Sequence, residues 1–410
     1  MNNLAIKNFR IKHFKAIQDS GTVELSPLTV FIGSNGSGKS SFIEGLETYK
    51  TCIKQGLYVA MEQWQGFEQI QNRLTPHESE TLGTIEFELH RIIDTSTFSA
   101  NMSVSLDAES ELFIQSEKLF FEDKLIVERQ ANNAFYFPEL DSFDFSVPAG
   151  SEFSILSKAN SALWAALSRY MNSTRSSSSA TILMKWLKNI NKSKQFWESF
   201  DWQFIMLNPD AMKRPVLQKR TGGEIRLNKN GSNIARYLLS IRKLDQAVFA
   251  SILETLQEIL PYAQELQVIL GTELEHGVYL QLTEKEQQLA SFLLSTGTLR
   301  VIALLALLRH PKPPPMIVIE EIENGLDPQT ISLIIREIRK VVKAGKTQVI
   351  VTTHSPYLLD LLQLEDIVIV ERDTTGQPQF FRPDSEVVLA ELKKSTLGKL
   401  YTMGKLVNPA

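Results

Sequence analysis

Cysteine is nearly missing from this chain: Cys52 stands alone among 410 residues. A single thiol excludes an internal disulfide framework and a zinc site built only from cysteines, and it fits a reducing compartment. Its expected role is that of a small buried apolar side chain. Long apolar runs are also lacking. The longest lies near Val301–Leu308, too short to cross a bilayer. Met1–Arg10 holds no apolar stretch of the kind a secretory leader needs. Nor is there an excess of charge. The formal net charge is −4, whereas a dedicated nucleic-acid coat would be strongly basic, so any such contact must come from a local patch. Sustained heptads and internal repeats are absent as well. With 43% hydrophobic and 22% charged residues, the composition suits one large or two modest folded domains. A soluble, cytoplasmic protein without membrane contact is expected.

The texture of the chain changes twice. Residues 1–95 open with alternating apolar positions, Leu4, Ile6, Phe9, Ile11 and Phe14, and a second such stretch, Gly21–Leu25. Both predict antiparallel strands. Leu28–Ile32 is a continuous apolar run, which marks a strand buried on both faces. A glycine-rich turn and a helix over about Ser40–Gly56 follow, then a strand over Thr84–Ile93. Residues 96–285 are mixed. Alternating segments near Asn101–Leu106, Glu111–Ile114 and Leu125–Glu128 give way to helical patterns, a serine-rich loop (Ser173–Thr181) and a polar stretch, Lys213–Gly231. Helical spacing resumes over Ile234–Leu260. Residues 286–410 predict a helix (Leu299–Arg309), a stop (Pro311–Pro315), a buried strand (Met316–Ile319), a helix (Thr330–Val342) and a second buried strand (Gln348–Val351). This is the rhythm of a parallel sheet with helices on its faces. The expected fold is α/β: a mixed sheet begun near the N-terminus and completed near the C-terminus, a β-rich N-terminal lobe, and a mainly helical inserted lobe.

The strongest local signal is Gly33-Ser34-Asn35-Gly36-Ser37-Gly38-Lys39-Ser40, followed by Ser41. It matches the full phosphate-loop pattern and sits between a buried strand and a helix, the context the chemistry needs. Glycines let backbone N–H groups curl toward phosphate oxygens, and the helix adds the positive end of its dipole. Lys39 supplies a point charge for the β- and γ-phosphates, and Ser40 a hydroxyl for Mg2+. A chance Gly/Ser linker is the competing reading.

Such a loop needs a carboxylate on a neighbouring strand for the metal and a base for water. Met316-Ile-Val-Ile ends in Glu320-Glu321 at the carboxyl end of a buried strand, where open α/β sheets bind ligands. Side chains alternate along a strand, so the two acids divide the work. Glu320 is assigned to the Mg2+ shell and Glu321 to polarising the attacking water. The bland alternative is a pair of solvated acids.

These segments, with Leu294-Ser295-Thr296-Gly297-Thr298-Leu299-Arg300, Glu323-Asn324-Gly325-Leu326-Asp327-Pro328 and Thr352-Thr353-His354-Ser355-Pro356, occur in the order of a known family. The chain resembles the ABC-type P-loop ATPases of the SMC/RecF-like and OLD-like branch, also described as predicted AAA ATPases. The resemblance covers roughly the first and last regions and leaves the middle without signal. It implies the head fold, with residues 1–95 and 286–410 forming the two halves of the ATPase and 96–285 an inserted lid or contact lobe. It implies ATP and Mg2+ as cofactors. Ser295, Thr296 and Gly297 would be the signature motif, which contacts ATP held by a second subunit. Asn324, Gly325 and Asp327 would form the loop crossing that dimer interface, and His354 would be the switch histidine at the γ-phosphate. From the residues alone, Ser295 or Thr296 equally predicts a helix N-cap, Asn324–Pro328 an ordinary turn, and a lone His a structural role. The metal-side acid is Glu320 where the family usually has Asp, and the signature reads Ser-Thr-Gly-Thr instead of Ser-Gly-Gly-Gln. The family's Q-loop glutamine has four candidates, Gln63, Gln65, Gln69 and Gln71, with nothing to select one.

The chain lacks the coiled coil of SMC proteins, and too few residues follow Glu371 for a Toprim domain. Two basic stretches suit nucleic acid: Lys185–Trp197, where aromatics interleave with lysines, and Lys213, Arg214, Lys219, Arg220, Arg226 and Lys229. Each equally suits a solvated helix face or loop. The expected function is an ATP-hydrolysing, nucleotide-gated homodimer that acts on DNA in genome maintenance or anti-phage defence. The alternative is an ATP-dependent scaffold for a separate nuclease or toxin effector.

Overall fold

The computed structural model describes residues 5–72, 83–93, 96–129, 134–136, 144–146, 154–156, 198–217, 225–270, 277–384 and 386–406. The serine-rich loop and the Lys185–Trp197 stretch lie outside the described residues.

A six-stranded sheet forms the centre. Its order is Gln203–Ile205, Met316–Ile319, Gln348–Thr353, Leu28–Ile32, Ile367–Arg372, Pro378–Phe381. All neighbours run parallel except the last pair, which is antiparallel. The continuous apolar runs predicted burial on both faces, and the strands have it. Val30, Ile32, Ile317, Ile319, Val349 and Val351 face one core, while Phe31, Val318 and Ile350 face the other. The expectation that the acid-bearing strand would neighbour the phosphate-loop strand is corrected. Gln348–Thr353 lies between them, paired with Leu28–Ile32 on one side and Met316–Ile319 on the other.

One core lies between this sheet, the helix Lys39–Gln55 and a second sheet. The helix follows the glycine-rich turn as predicted. It presents Phe42, Ile43, Leu46, Tyr49 and Ile53, with Phe42 edge-on to Phe9 at 5.6 Å. The second sheet has nine strands among the described residues. It contains Ile6–Phe14 and continues through Ile85–Ile93, Ser96–Leu106, Leu112–Phe121 and Lys124–Arg129. The division expected at residue 95 therefore falls inside a hairpin, since Ile85–Ile93 pairs along its whole length with Ser96–Leu106.

The other core is helical. Thr296–Leu308 is buried on nearly every side from Thr298 onward, and packs against Pro328–Lys343 and Gln246–Leu256. Leu304, Leu305 and Leu307 are each at most 2% exposed, and each contributes roughly 1.5–3 kcal/mol through burial. The helical run expected over Ile234–Leu260 is two helices, Ile234–Leu244 and Gln246–Leu256, broken at Asp245. The Asp245 carboxylate accepts from the N–H groups of Ala247 and Val248 and so caps the second helix.

Candidate nucleotide site

The phosphate loop leaves the carboxyl end of Leu28–Ile32 and enters the helix Lys39–Gln55. Close packing explains two of its glycines. A Cβ on Gly33 would lie 2.1 Å from the Val370 carbonyl oxygen, and one on Gly38 would lie 2.7 Å from Pro378. Gly38 also has φ +114°, a conformation that suits glycine. Arg372 braces the turn by donating from Nε to the Gly36 carbonyl at 2.8 Å. No side chain caps this helix, so its first N–H groups remain available to an anion. Ser34, Asn35, Gly36 and Ser40 are exposed, Ser41 is half-buried, and Ser37 is buried.

Lys39 is buried, and its ammonium donates to the carbonyls of Gly33 and Ser34, both at 2.9 Å. Burial pushes its pKa down to about 8, while Glu323 and then Glu321 pull the other way.

Both acids of the pair are close by. Glu320 is buried, and the Ser40 side chain favours its charged form. Burial raises its pKa, Lys229 and Ser40 oppose the rise, and Glu44 and Glu47 add to it. A hydroxyl and a carboxylate brought together in this way fit Mg2+, which prefers a few oxygen ligands plus phosphate and water. Among the described residues no cluster of acids, histidines and cysteines forms a larger metal cage. Glu321 follows with φ +49°, a costly backbone conformation for a non-glycine residue. It is held there by its own N–H, which donates to Thr352 Oγ1 at 2.9 Å. Its carboxylate accepts from Asn324 Nδ2.

His354 leaves the neighbouring strand, and its backbone N–H donates to Glu323 Oε1. Glu323 had no role assigned from sequence. It ties the histidine loop to the acid loop, and its charge acts on Lys39. Its Oε2 is buried without a hydrogen-bond partner among the described residues. The signal available in the sequence was only its spacing, two residues after Glu321.

Ser295 is a helix N-cap: its Oγ accepts from the Thr298 N–H at 3.0 Å. Ser295 and Thr296 are exposed. Gly297 packs so closely that a Cβ there would meet the Gly325 carbonyl oxygen at 2.9 Å. The signature and the Asn324–Asp327 loop thus form one surface. Asp327 caps the helix Pro328–Lys343 through Gln329 N and Thr330 N. Arg300, on the signature helix, lines a cavity of about 720 Å³ with Glu320, Glu321, Asn324, Asn208 and Lys229. Burial disfavours its charge and Glu321 favours it. None of the four candidate glutamines lines this cavity. Gln71 bridges to Phe14, and Gln65 occupies a left-handed turn.

The second basic stretch is dispersed. Lys229 pairs with Glu47, Lys213 with Asp210, and Arg226 donates to the Lys312 carbonyl. Arg214 is exposed, and Lys219 and Arg220 lie outside the described residues. Cys52 is buried, as expected. No described helix is long and apolar enough to cross a membrane.

This fold and this site define a P-loop ATPase with the fold of an SMC ATPase head. Residues 28–360 match the sequence profile of the family described as "AAA domain, putative AbiEii toxin, Type IV TA system", and the chain belongs to that family. Among curated proteins none matches the sequence. Solved structures with this architecture include an SMC head bound to the C-winged helix domain of ScpA. It is 14% identical, with a TM-score of 0.50 over 92% of this chain and 96% of that chain. A head domain with an extended coiled coil bound to the C-terminal domain of ScpA, from Pyrococcus furiosus, is 13% identical, with a TM-score of 0.47 over 95% and 99%. The SMC head domain from Thermotoga maritima is 15% identical, with a TM-score of 0.42 over 92% and 98%.

Proposed function

We propose that this ATPase works as a nucleotide-gated homodimer, in which ATP held by one copy is closed over by the signature surface of the other. The observation that carries this reading is the continuous surface of exposed Ser295, Thr296, Asn324 and Gly325, joined through half-buried Gly297, beside Glu321. Lys39 and the loop amides hold the triphosphate, Ser40 and Glu320 hold Mg2+, and Glu321 orients the attacking water. Bound Mg2+ neutralises phosphate charge during transfer. His354, steadied through Glu323, reports the γ-phosphate to the adjoining strand. ATP closes the dimer, and hydrolysis opens it.

The activity so gated is DNA-associated, in genome maintenance or anti-phage defence. The test is the ATPase rate with and without DNA, together with sedimentation of Ser295→Arg in ATP. DNA stimulation in the wild type and a monomeric Ser295→Arg that still binds ATP are the expected results. A Ser295→Arg dimer would end the trans reading, and indifference to DNA would end the DNA role. The second reading is an ATP-dependent scaffold that retains a separate nuclease or toxin. It is favoured by the family's description, which names a toxin of a type IV toxin–antitoxin system. ATP-dependent capture of that second protein, with little turnover, distinguishes it.

A further inference from the structure

Two carboxylates of the phosphate-loop helix act on Glu320 at the metal side of the nucleotide site. Glu320 ends the acid-bearing strand, and Glu44 and Glu47 lie three residues apart on the phosphate-loop helix. Each helix acid has a lysine from elsewhere in the chain. Lys15 Nζ is 2.9 Å from Glu44 Oε2, and Lys229 Nζ is 2.5 Å from Glu47 Oε2. Lys229 also lines the cavity that Glu320 lines, and its charge opposes the rise that Glu44 and Glu47 impose on the Glu320 carboxyl.

The seat of Lys229 is rigid. Its carbonyl accepts from Met206 N at 2.7 Å, and the Asn230 carbonyl accepts from Asn208 N at 3.0 Å. Asn233 closes the same turn, accepting from Asn228 N at 2.7 Å and donating to the Arg226 carbonyl at 2.8 Å. Met206 directly follows the strand Gln203–Ile205, which pairs in parallel with Met316–Ile319, and Glu320 N donates to the Ile205 carbonyl at 2.9 Å. The turn that carries Lys229 and the strand end that carries Glu320 are therefore one hydrogen-bonded unit. A lysine so placed acts on the acids whether or not nucleotide is bound.

We propose that Lys229 is a positioning residue of the ATPase site, a built-in counter-cation for Glu47 and Glu320 that lets the site accept the ATP tetra-anion and take up its divalent ion only together with nucleotide. This rests on the ATPase-site reading above. Without Lys229, the uncompensated carboxylates repel triphosphate and attract a bare divalent ion. Without Glu47, the balance shifts the other way.

The test uses the full chain and two equilibrium readouts. Mn2+ alone is titrated into nucleotide-free protein and followed by the spin signal of free Mn2+. A fluorescent ATP analogue is titrated in EDTA. Lys229→Met should bind Mn2+ tighter and the analogue weaker, each by roughly three- to tenfold, the size expected of one charge acting through a partly solvated site. Glu47→Gln should shift both in the opposite direction, Lys229→Arg should match the wild type, and Lys229→Met/Glu47→Gln should return toward it. Structural damage does not produce shifts of opposite sign. Lys229→Met and Glu47→Gln shifting alike, or neither shifting, overturns the proposal. Should Lys229→Met fail to fold, as thermal melting would show, Glu47→Gln alone still decides the sign. Lys39→Ala is the control: if it binds the analogue normally, the nucleotide site itself is misplaced, a different failure from an unchanged Lys229→Met.

Discussion

The phosphate loop at Gly33–Ser41 and the signature loop at Ser295–Gly297 both open helices, yet they treat the helix terminus in opposite ways. The first helix begins at a glycine in a left-handed conformation with no side-chain cap. Its orphan N–H groups stay available, and Arg372, Val370 and Pro378 hold the loop against the sheet. The second helix begins at Ser295, whose hydroxyl already serves the Thr298 N–H. Ser295 and Thr296 face solvent, and Thr296, Gly297 and Arg300 lie against Gly325 of the neighbouring loop. One terminus is shaped to receive phosphate from its own chain. The other has an orphan N–H satisfied at rest, and it offers a ligand a side-chain hydroxyl where the first offers bare backbone amides. The acids at Glu320 and Glu321 side with the first, since the Ile205 carbonyl and the Thr352 hydroxyl fix their backbone from within the chain.

The largest expected effect belongs to the finished pole. Lys39→Ala removes the only charge that the loop directs at phosphate, and ATP affinity should fall by more than about a hundredfold, as one buried charge-assisted contact is lost. Fluorescent-nucleotide titration reads this directly, and retained affinity would mean that the loop grips something else. Next comes Glu321→Gln. It keeps the side-chain shape and the Asn324 contact while removing the base, so turnover should drop by roughly 10²–10³ with ATP binding intact. Single-turnover assays separate the two, and hydrolysis at the wild-type rate would place the base elsewhere.

The signature pole should respond more softly in the isolated chain. Ser295→Ala deletes an N-cap and should cost about 1 kcal/mol of stability, visible in denaturant melts. Its turnover should fall while monomer ATP affinity stays unchanged. A variant that loses stability but keeps full turnover would leave Ser295 a cap and nothing more.

The same contrast explains what could be read from the sequence. Leu28–Ile32 and Met316–Ile319 were legible because strands buried on both faces need unbroken apolar runs, and both carry polar punctuation at the carboxyl end. The phosphate loop was legible because its glycines answer to close contacts within a short segment. Strand order was not. Nothing in Gln348–Thr353 says that it lies between the other two, because parallel pairing is chosen by long-range packing. Gln203–Ile205 was hidden for a similar reason, being three residues long in a mixed region. Lys229 was read as part of a basic patch because a charge shows its sign in the sequence and its partner only in the fold. The break at Asp245 was in principle legible, as an aspartate ahead of two residues that need a cap.

The smallest effect tests the electrostatics of the finished pole. In the empty site Lys39 has a pKa of about 8, against 10.5 in an unfolded chain. Between those values the unfolded chain holds the proton and the folded chain does not, so the empty protein should gain stability as pH rises through that window. Bound triphosphate reverses the balance by favouring the ammonium. ATP binding should then take up protons, close to none at pH 7 and approaching about one near pH 9, and affinity should weaken as pH climbs above about 8. Calorimetry in buffers of different ionisation heat measures the uptake. Uptake that stays flat between pH 7 and pH 9 would assign the proton to another group and return Lys39 to an ordinary lysine pKa.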